Sequence, residues 1–229
     1  MQKAPGQPPV PALTFAIGDV HGCVDKLHSL LSKCENLAAG TRARYVFIGD
    51  YIDRGPDANR AIQTIIDLQK RPDAEVICLR GNHEDLLLNC FEDGAEQLVH
   101  WLLMNGGAAT LRSYGVESVH DIPGEHLAWI RSLRLFYDDG KRYFVHAGVD
   151  PDLPLSEQSE HDQLWIREPF LSSDKIFDRF VVHGHTPQES GLPDIRPNRL
   201  NIDTAAVYGG KLTAAVFMDE VLPVKFLTD

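Results

Sequence analysis

Several short apolar runs in this chain end in side chains that bind cations. Leu13–Ile17 runs into Gly18-Asp19-Val20-His21, Tyr45–Ile48 into Gly49-Asp50, and Val76–Leu79 into Arg80-Gly81-Asn82-His83. Two later runs end in His146 and in His183-Gly184-His185. Carboxylate, amide and imidazole donors together suit divalent ions such as manganese, iron or zinc, and no thiolate is offered among them. Singly, each fragment has an ordinary reading: Asp19 or Asp50 caps the next helix, Asn82 is an N-cap, and His146 is a satisfied core or surface histidine. Their recurrence at the ends of strands points instead to one crevice, because α/β sheets bind ligands beyond the carboxyl ends of their strands.

The elements that must position these groups follow from the apolar periodicity. Leu13–Ile17, Tyr45–Ile48 and Val76–Leu79 read as buried strands, with helices at Asp25–Leu37 and Ala58–Leu68 between them. That β-α-β-α-β order predicts parallel strands covered by helices. Helical stretches fill Glu84–Ser113 and Gly124–Leu133, and Asn89 to Ser132 is a candidate helical cap. Leu135–Tyr137 and Tyr143–Val145 read as a hairpin around Asp138-Asp139-Gly140. An irregular acidic stretch, Pro151 to Ser173, precedes strands at Phe180–Val182, Leu200–Ile202, Lys211–Met218 and Val224–Leu227. The expected architecture is α/β, two packed mixed sheets flanked by helices. Residues 1–11, rich in Pro, Gly and Gln, read as a flexible leader, and residues 12–229 as a single domain.

Composition sets further bounds. There are 33 acidic and 22 basic residues, for a formal net charge of -11, with no basic stripe of the kind a nucleic-acid binder carries. An acidic protein that handles phosphate must reverse the field locally, and bound cations do so most directly. Cys23, Cys34, Cys78 and Cys90 form no metal or disulfide framework, which fits reduced thiols in the cytoplasm. No apolar run approaches a membrane span. The expectation is a monomer, for want of any interface signal.

Taken in order, Gly18-Asp19-Val20-His21-Gly22, Gly49-Asp50-Tyr51-Ile52-Asp53-Arg54-Gly55, Gly81-Asn82-His83-Glu84, His146-Ala147-Gly148 and Gly184-His185-Thr186 resemble the five signature blocks of the calcineurin-like metallophosphoesterases. Within these the chain is similar to the serine/threonine phosphoprotein phosphatases in their compact bacterial and phage form. The resemblance implies a four-layer fold. It also implies that Asp19, His21 and Asp50 hold one divalent metal and that Asn82, His146 and His185 hold a second, with Asp50 bridging. A shared carboxylate keeps two cations roughly 3.5–4 Å apart, the spacing of a clamp on an in-line displacement by an activated water. His83 and Asp53 match a pair in which the imidazole protonates the leaving oxygen. Arg54 matches a phosphate-gripping arginine, for which a guanidinium offers a bidentate fork.

Arg167, within Leu164-Trp165-Ile166-Arg167-Glu168, is the chosen second arginine, with a salt bridge to Glu168 or Asp162 as the alternative. Tyr208 sits where the family often carries an aromatic at the pocket rim, or is simply a strand-end aromatic. His183 stays outside the ligand set, as do His28, His100, His120, His126 and His161. Ala205 stands where the family usually has glycine, so a positive φ there costs strain. The implied activity is hydrolysis of phosphomonoesters, phosphoserine or phosphothreonine first, with manganese as the first choice of metal and iron or zinc as alternatives. A symmetrical diadenosine tetraphosphatase is the second reading. Those enzymes lack the aspartate found here at Asp53. A catalytically silent scaffold is the third, and the complete ligand set with His83 speaks against it.

Overall fold

In the computed structural model, residue 11, residues 13–91 and residues 95–229 are described. The leader expected at residues 1–11 lies outside them except for Pro11.

Each of two five-stranded sheets is organised around three parallel strands. In the first, β1 (Leu13–Ile17), β2 (Ala43–Phe47) and β3 (Ala74–Cys78) run parallel, with Ile17 beside Phe47 and Phe47 beside Cys78. Parallel neighbours need a crossover, and helices α1 (Val24–Ala38) and α2 (Ala58–Gln69) supply it. Both helices form because apolar residues recur at helical spacing: Leu27, Leu30, Leu31 and Cys34 on α1, and Ala58, Ala61, Ile62 and Ile65 on α2, all buried. Asp57 caps α2 by accepting the Arg60 N–H. The antiparallel strands β9 (Thr213–Phe217) and β10 (Lys225–Thr228) close the β1 edge.

The second sheet repeats the plan. β5 (Arg142–Val145), β6 (Phe180–His183) and β8 (Arg199–Asn201) are parallel, and β4 (Phe136–Asp138) and β7 (Asp194–Ile195) are antiparallel edges. The alternation of strand side chains sorts the core into layers. Phe15, Ile17, Tyr45 and Phe47 face the α1–α2 layer. Ala16, Val46, Ile48 and Ile77 face the other way and meet Phe144, Val182 and Leu200 between the sheets. Tyr143, Val145 and Val181 face outward onto Ile166 and Phe170.

The helical stretches expected over Glu84–Ser113 are three helices: α3 (Asn82–Asn89), α4 (Ala95–Met104) and α5 (Gly107–Tyr114). The break between α4 and α5 falls at Asn105-Gly106, where Gly106 takes φ 85°. With α6 (Gly124–Arg131) these form the helical cap beside the first sheet. The stretch expected to be irregular contains a short helix, α7 (Glu160–Trp165), started by Ser159, whose hydroxyl accepts the Asp162 N–H. Among the described residues no helix is long and apolar enough to cross a membrane, and all four cysteines are free and buried.

Candidate active site

Six parallel strands, three from each sheet, deliver polar residues just past their carboxyl ends. β1 delivers Asp19 and His21, β2 delivers Asp50, and β3 delivers Asn82 and His83 at the start of α3. From the second sheet, β5 delivers His146, β6 delivers His185, and β8 delivers Asp203. The turns that follow are tight enough to need the left-handed backbone at His21 (φ 43°), Asp50 (φ 54°), Asp53 (φ 71°), Arg54 (φ 66°) and His185 (φ 64°). Non-glycine residues pay strain there and persist only where their surroundings hold them. At Gly49 (φ 111°) no side chain is admitted, because a Cβ would lie 2.7 Å from the Gly81 nitrogen and 2.8 Å from His146 Nδ1.

Asp50 is the hub. Its Oδ2 lies 3.4 Å from His21 Nε2 and 4.0 Å from His83 Nε2, and its Oδ1 lies 3.4 Å from His146 Nε2. Two candidate ligand groups therefore share it: His21, Asp50 and His83, and Asp50, His146 and His185. Asn82 Oδ1 sits 2.9 Å from both His146 Nε2 and His185 Nδ1. Asp19 belongs to neither group. Its carboxylate accepts the His185 N–H at 3.1 Å.

The donor set fits cations. His21 Nδ1 is 2.7 Å from the Ile52 carbonyl and His146 Nδ1 is 2.9 Å from the Ile48 carbonyl, so each ring donates backward and presents a bare Nε2 to the centre. His146 Nε2 thus faces an amide oxygen across 2.9 Å, acceptor against acceptor, which a positive ion between or beside them relieves. At His21 the Nε2 lone pair accepts from Arg54 Nη1 at 2.7 Å, a guanidinium standing where a cation would bind. Protonation does not supply the positive charge at the rings. Burial pushes His21 down to about 3 and His185 down to about 2, and it lowers His146 as well. Burial, Asp203 and Asp50 raise Asp19, an acidic crowding that a divalent ion offsets.

His83 Nδ1 and Asp53 Oδ2 are 2.7 Å apart, with both side chains buried. Burial would lower His83, but Asp50 and the Asp53 hydrogen bond prevail and raise it. Arg54, Arg167 and Tyr208 meet at a cavity of about 470 Å³ that Asp50, Asn82, His83 and His185 also line. The Arg54 guanidinium lies 5.7 Å from the centre of the Tyr208 ring. Trp165 stands edge-on to His185 at 6.2 Å and lines the same space. His161 lines it too, whereas sequence reasoning left it among the outlying histidines. His183 points the other way, onto Phe170, 5.0 Å between ring centres.

Two further residues escaped sequence reasoning. Glu84 is fully buried, and its carboxylate accepts the N–H groups of Asp50 (3.0 Å), Tyr51 (2.8 Å), Ile52 (3.2 Å) and Gly81 (2.9 Å). It ties the loops after β2 and β3 together and holds the strained Asp50 backbone. Asp203 lies beside Asp19 and accepts the Ala205 N–H at 3.1 Å. The signal for Asp203 was present, a buried strand ending in an aspartate like the others.

This geometry has counterparts elsewhere. The chain is 30% identical over 227 residues to the asymmetrical bis(5'-nucleosyl)-tetraphosphatase PrpE of Oceanobacillus iheyensis, covering 89% of this chain and 88% of that protein. It is 29% identical to serine/threonine-protein phosphatase 1 of Salmonella typhimurium, covering 88% and 90%. A cold-active protein tyrosine phosphatase superposes with a TM-score of 0.65 at 17% identity, over 96% of this chain and 79% of that one, which shows a shared fold. The tetraphosphatase named above is of the asymmetrical kind, where the sequence reading weighed the symmetrical kind. Residues 14–215 match the description of the calcineurin-like phosphoesterases; that span takes in every strand end that feeds the cavity, and the chain belongs to this family, an enzyme among the metallophosphoesterase hydrolases.

Proposed function

We propose that this protein is a dinuclear metal-dependent phosphomonoester hydrolase whose first substrate class is phosphoserine and phosphothreonine in proteins. The observation that carries the reading is the orientation of Asp50. Its two oxygens face separate imidazole groups, in a cavity that also holds a buried His83–Asp53 pair.

Asp19, His21 and Asp50 would hold one ion, and Asp50, Asn82, His146 and His185 the other. Manganese is the first choice for this oxygen-and-imidazole set, with iron and zinc as alternatives. Such ions supply positive charge to the phosphoryl oxygens and a water made nucleophilic near neutral pH. The chain's own residues do the rest. Arg54 and Arg167 converge on the cavity and grip the non-bridging phosphate oxygens. His83 gives its Nε2 proton to the departing oxygen, and Asp53 holds the ring by Nδ1 and stabilises its charged form. Residues 12–229 act as one domain. The protein works as a monomer in the cytoplasm, where four free thiols stay reduced.

A nucleotide reading is supported by the relative named bis(5'-nucleosyl)-tetraphosphatase and by Trp165 and Tyr208, two aromatic rings at the cavity that suit a base. Rates on a phosphoserine peptide and on diadenosine tetraphosphate, measured side by side with manganese, decide between them. A strong preference for the dinucleotide overturns the protein-phosphatase reading. Full hydrolysis of p-nitrophenyl phosphate in excess chelator overturns the metal-dependent one.

A further inference from the structure

We infer that the helical cap positions the acid of this reaction: Trp101 and Thr110, from two helices of the cap, lock the Asp53 carboxylate that orients His83. The inference rests on the reading of His83 as the proton donor to the leaving oxygen.

Asp53 has two carboxylate oxygens, and both are claimed from the cap. Trp101 Nε1 on α4 donates to Oδ2 at 2.7 Å, the same oxygen that faces His83 Nδ1 at 2.7 Å. Thr110 Oγ1 on α5 donates to Oδ1 at 2.6 Å and accepts the Asp53 backbone N–H at 2.9 Å. The hydroxyl thus closes a small ring around the residue. Trp101, Thr110 and Asp53 are all fully buried, so no water competes for these bonds. Asp53 also sits at φ 71°, a conformation a non-glycine residue keeps only when its contacts over-determine it.

The join between the two helices is shaped for the same purpose. Gly106 O accepts the Arg54 N–H at 3.3 Å, and a Cβ on Gly106 would lie 2.8 Å from that nitrogen. A Cβ on Gly107 would come within 2.3 Å of the Trp101 ring. Asn105, the residue before them, lines the catalytic cavity. The run Trp101-x-x-x-Asn105-Gly106-Gly107-x-x-Thr110 is therefore one fitting: it seats the Asp53-Arg54 turn from above, while Glu84 seats its first half from below. A buried tryptophan needs a partner for its N–H, so a purely structural account of the Trp101 bond also exists. That account explains neither the threonine on the second oxygen nor the glycines that bring the cap against Arg54.

The two accounts differ in how the rate depends on the leaving group. A proton donor matters most when the departing oxygen is a poor leaving group. Trp101→Phe and Thr110→Val keep the bulk and remove the donor. On manganese-loaded enzyme, each lowers kcat for phenyl phosphate by about ten-fold, the scale of an outer-shell hydrogen bond. Each lowers kcat for p-nitrophenyl phosphate less than about two-fold, because that phenolate departs with little help. Thr110→Ser restores the loss. KM and bound manganese are unchanged in all three. In a His83→Asn background, Trp101→Phe adds no further selective loss, since its effect runs through that ring. Equal losses on both esters, or a full additional loss beside His83→Asn, overturn the positioning role. If His83→Asn itself treats the two esters alike, the failure lies with the proton-donor reading and not with the cap.

Discussion

The two walls of the catalytic cavity are built on opposite plans. On the side proposed to hold metal, His21, Asp50, Asn82 and His146 are almost wholly buried, and two of them, His21 and Asp50, sit on left-handed backbone. Each is tied by bonds that leave it one orientation: the Ile52 and Ile48 carbonyls for the two histidines, and Glu84 for the Asp50 turn. On the rim, Arg54, Arg167 and Tyr208 are exposed, the first two on loops and Tyr208 at the end of a 3-10 turn. The buried wall fixes where charge will sit, and preorganised charge is where most of the rate comes from. In the proposed reading the two arginines of the exposed wall grip the phosphate, and Tyr208 meets whatever the phosphate is attached to. One fold can therefore keep the hydrolysis and change the ester, in keeping with relatives named for a dinucleotide and for a phosphoprotein.

The sharpest way to break this contrast is to cut the hub. Asp50→Asn leaves the shape nearly intact but removes the charge that faces both imidazole groups. Loss of an outer-shell partner already costs about 10–100-fold in metal affinity or activity, and loss of the shared ligand exceeds that. Turnover of p-nitrophenyl phosphate falls more than about 100-fold, and bound manganese, measured on the desalted protein, falls with it. Turnover lost with both ions retained would place the bridging role elsewhere. Arg167→Ala comes next. A charge-assisted contact is worth about 1.5–3 kcal/mol, so the loss in kcat/KM is roughly ten-fold to a hundred-fold, with bound manganese unchanged. A loss of manganese in that variant would deny that the rim and the metal wall are separable.

Tyr208→Ala is expected to do least to the chemistry and most to the choice of substrate. The ring is 62% exposed at the cavity rim and lies 5.7 Å from the Arg54 guanidinium. Rates on p-nitrophenyl phosphate change by less than about three-fold, the worth of an exposed cation–π contact. Rates on diadenosine tetraphosphate fall further if the ring stacks a base, and those on a phosphoserine peptide do not. Equal changes on both substrates would leave Tyr208 without a part in selection.

The division between the walls also governs what the sequence disclosed. Asp19, His21, Asp50, Asn82, His146 and His185 were readable because each lies within a few residues of a buried strand and carries glycine neighbours that a tight turn demands. Glu84 was in view but silent. In sequence it is a first-turn acid of α3, and its work for Asp50, Tyr51 and Ile52 appears only when β2 and β3 lie side by side. Trp101 and Thr110 reach Asp53 across separations of 48 and 57 residues, and nothing local predicts such bonds. The cap was read as helical stretches over Glu84–Ser113 without the break between α4 and α5 at Asn105-Gly106 being placed. β7, two residues long, and α7, six, are too short to show a period.

The smallest predicted effect tests whether strain on the rim serves a purpose. Ala205 follows β8 and takes φ 59°, ψ 40°, as its place opposite the family's usual glycine suggested. The strain is real for an L-residue, about 1–2 kcal/mol, against which glycine loses about 0.5–1 kcal/mol of chain entropy. Ala205→Gly therefore stabilises the fold by roughly 0.5–1 kcal/mol, a rise in Tm of about 1–4 °C at this chain length. Ala205 also shapes the turn that carries Tyr208: its carbonyl accepts the N–H of Tyr208 and of Gly210, both at 3.0 Å, and its own N–H reaches Asp203. If that turn only displays the ring, KM for the preferred substrate stays within about two-fold as Tm rises, the behaviour expected of a stabilising change outside the chemistry. If KM climbs while Tm rises, the alanine is holding Tyr208 against Arg54 at a cost in stability, and the rim shares the metal wall's habit of spending strain on position.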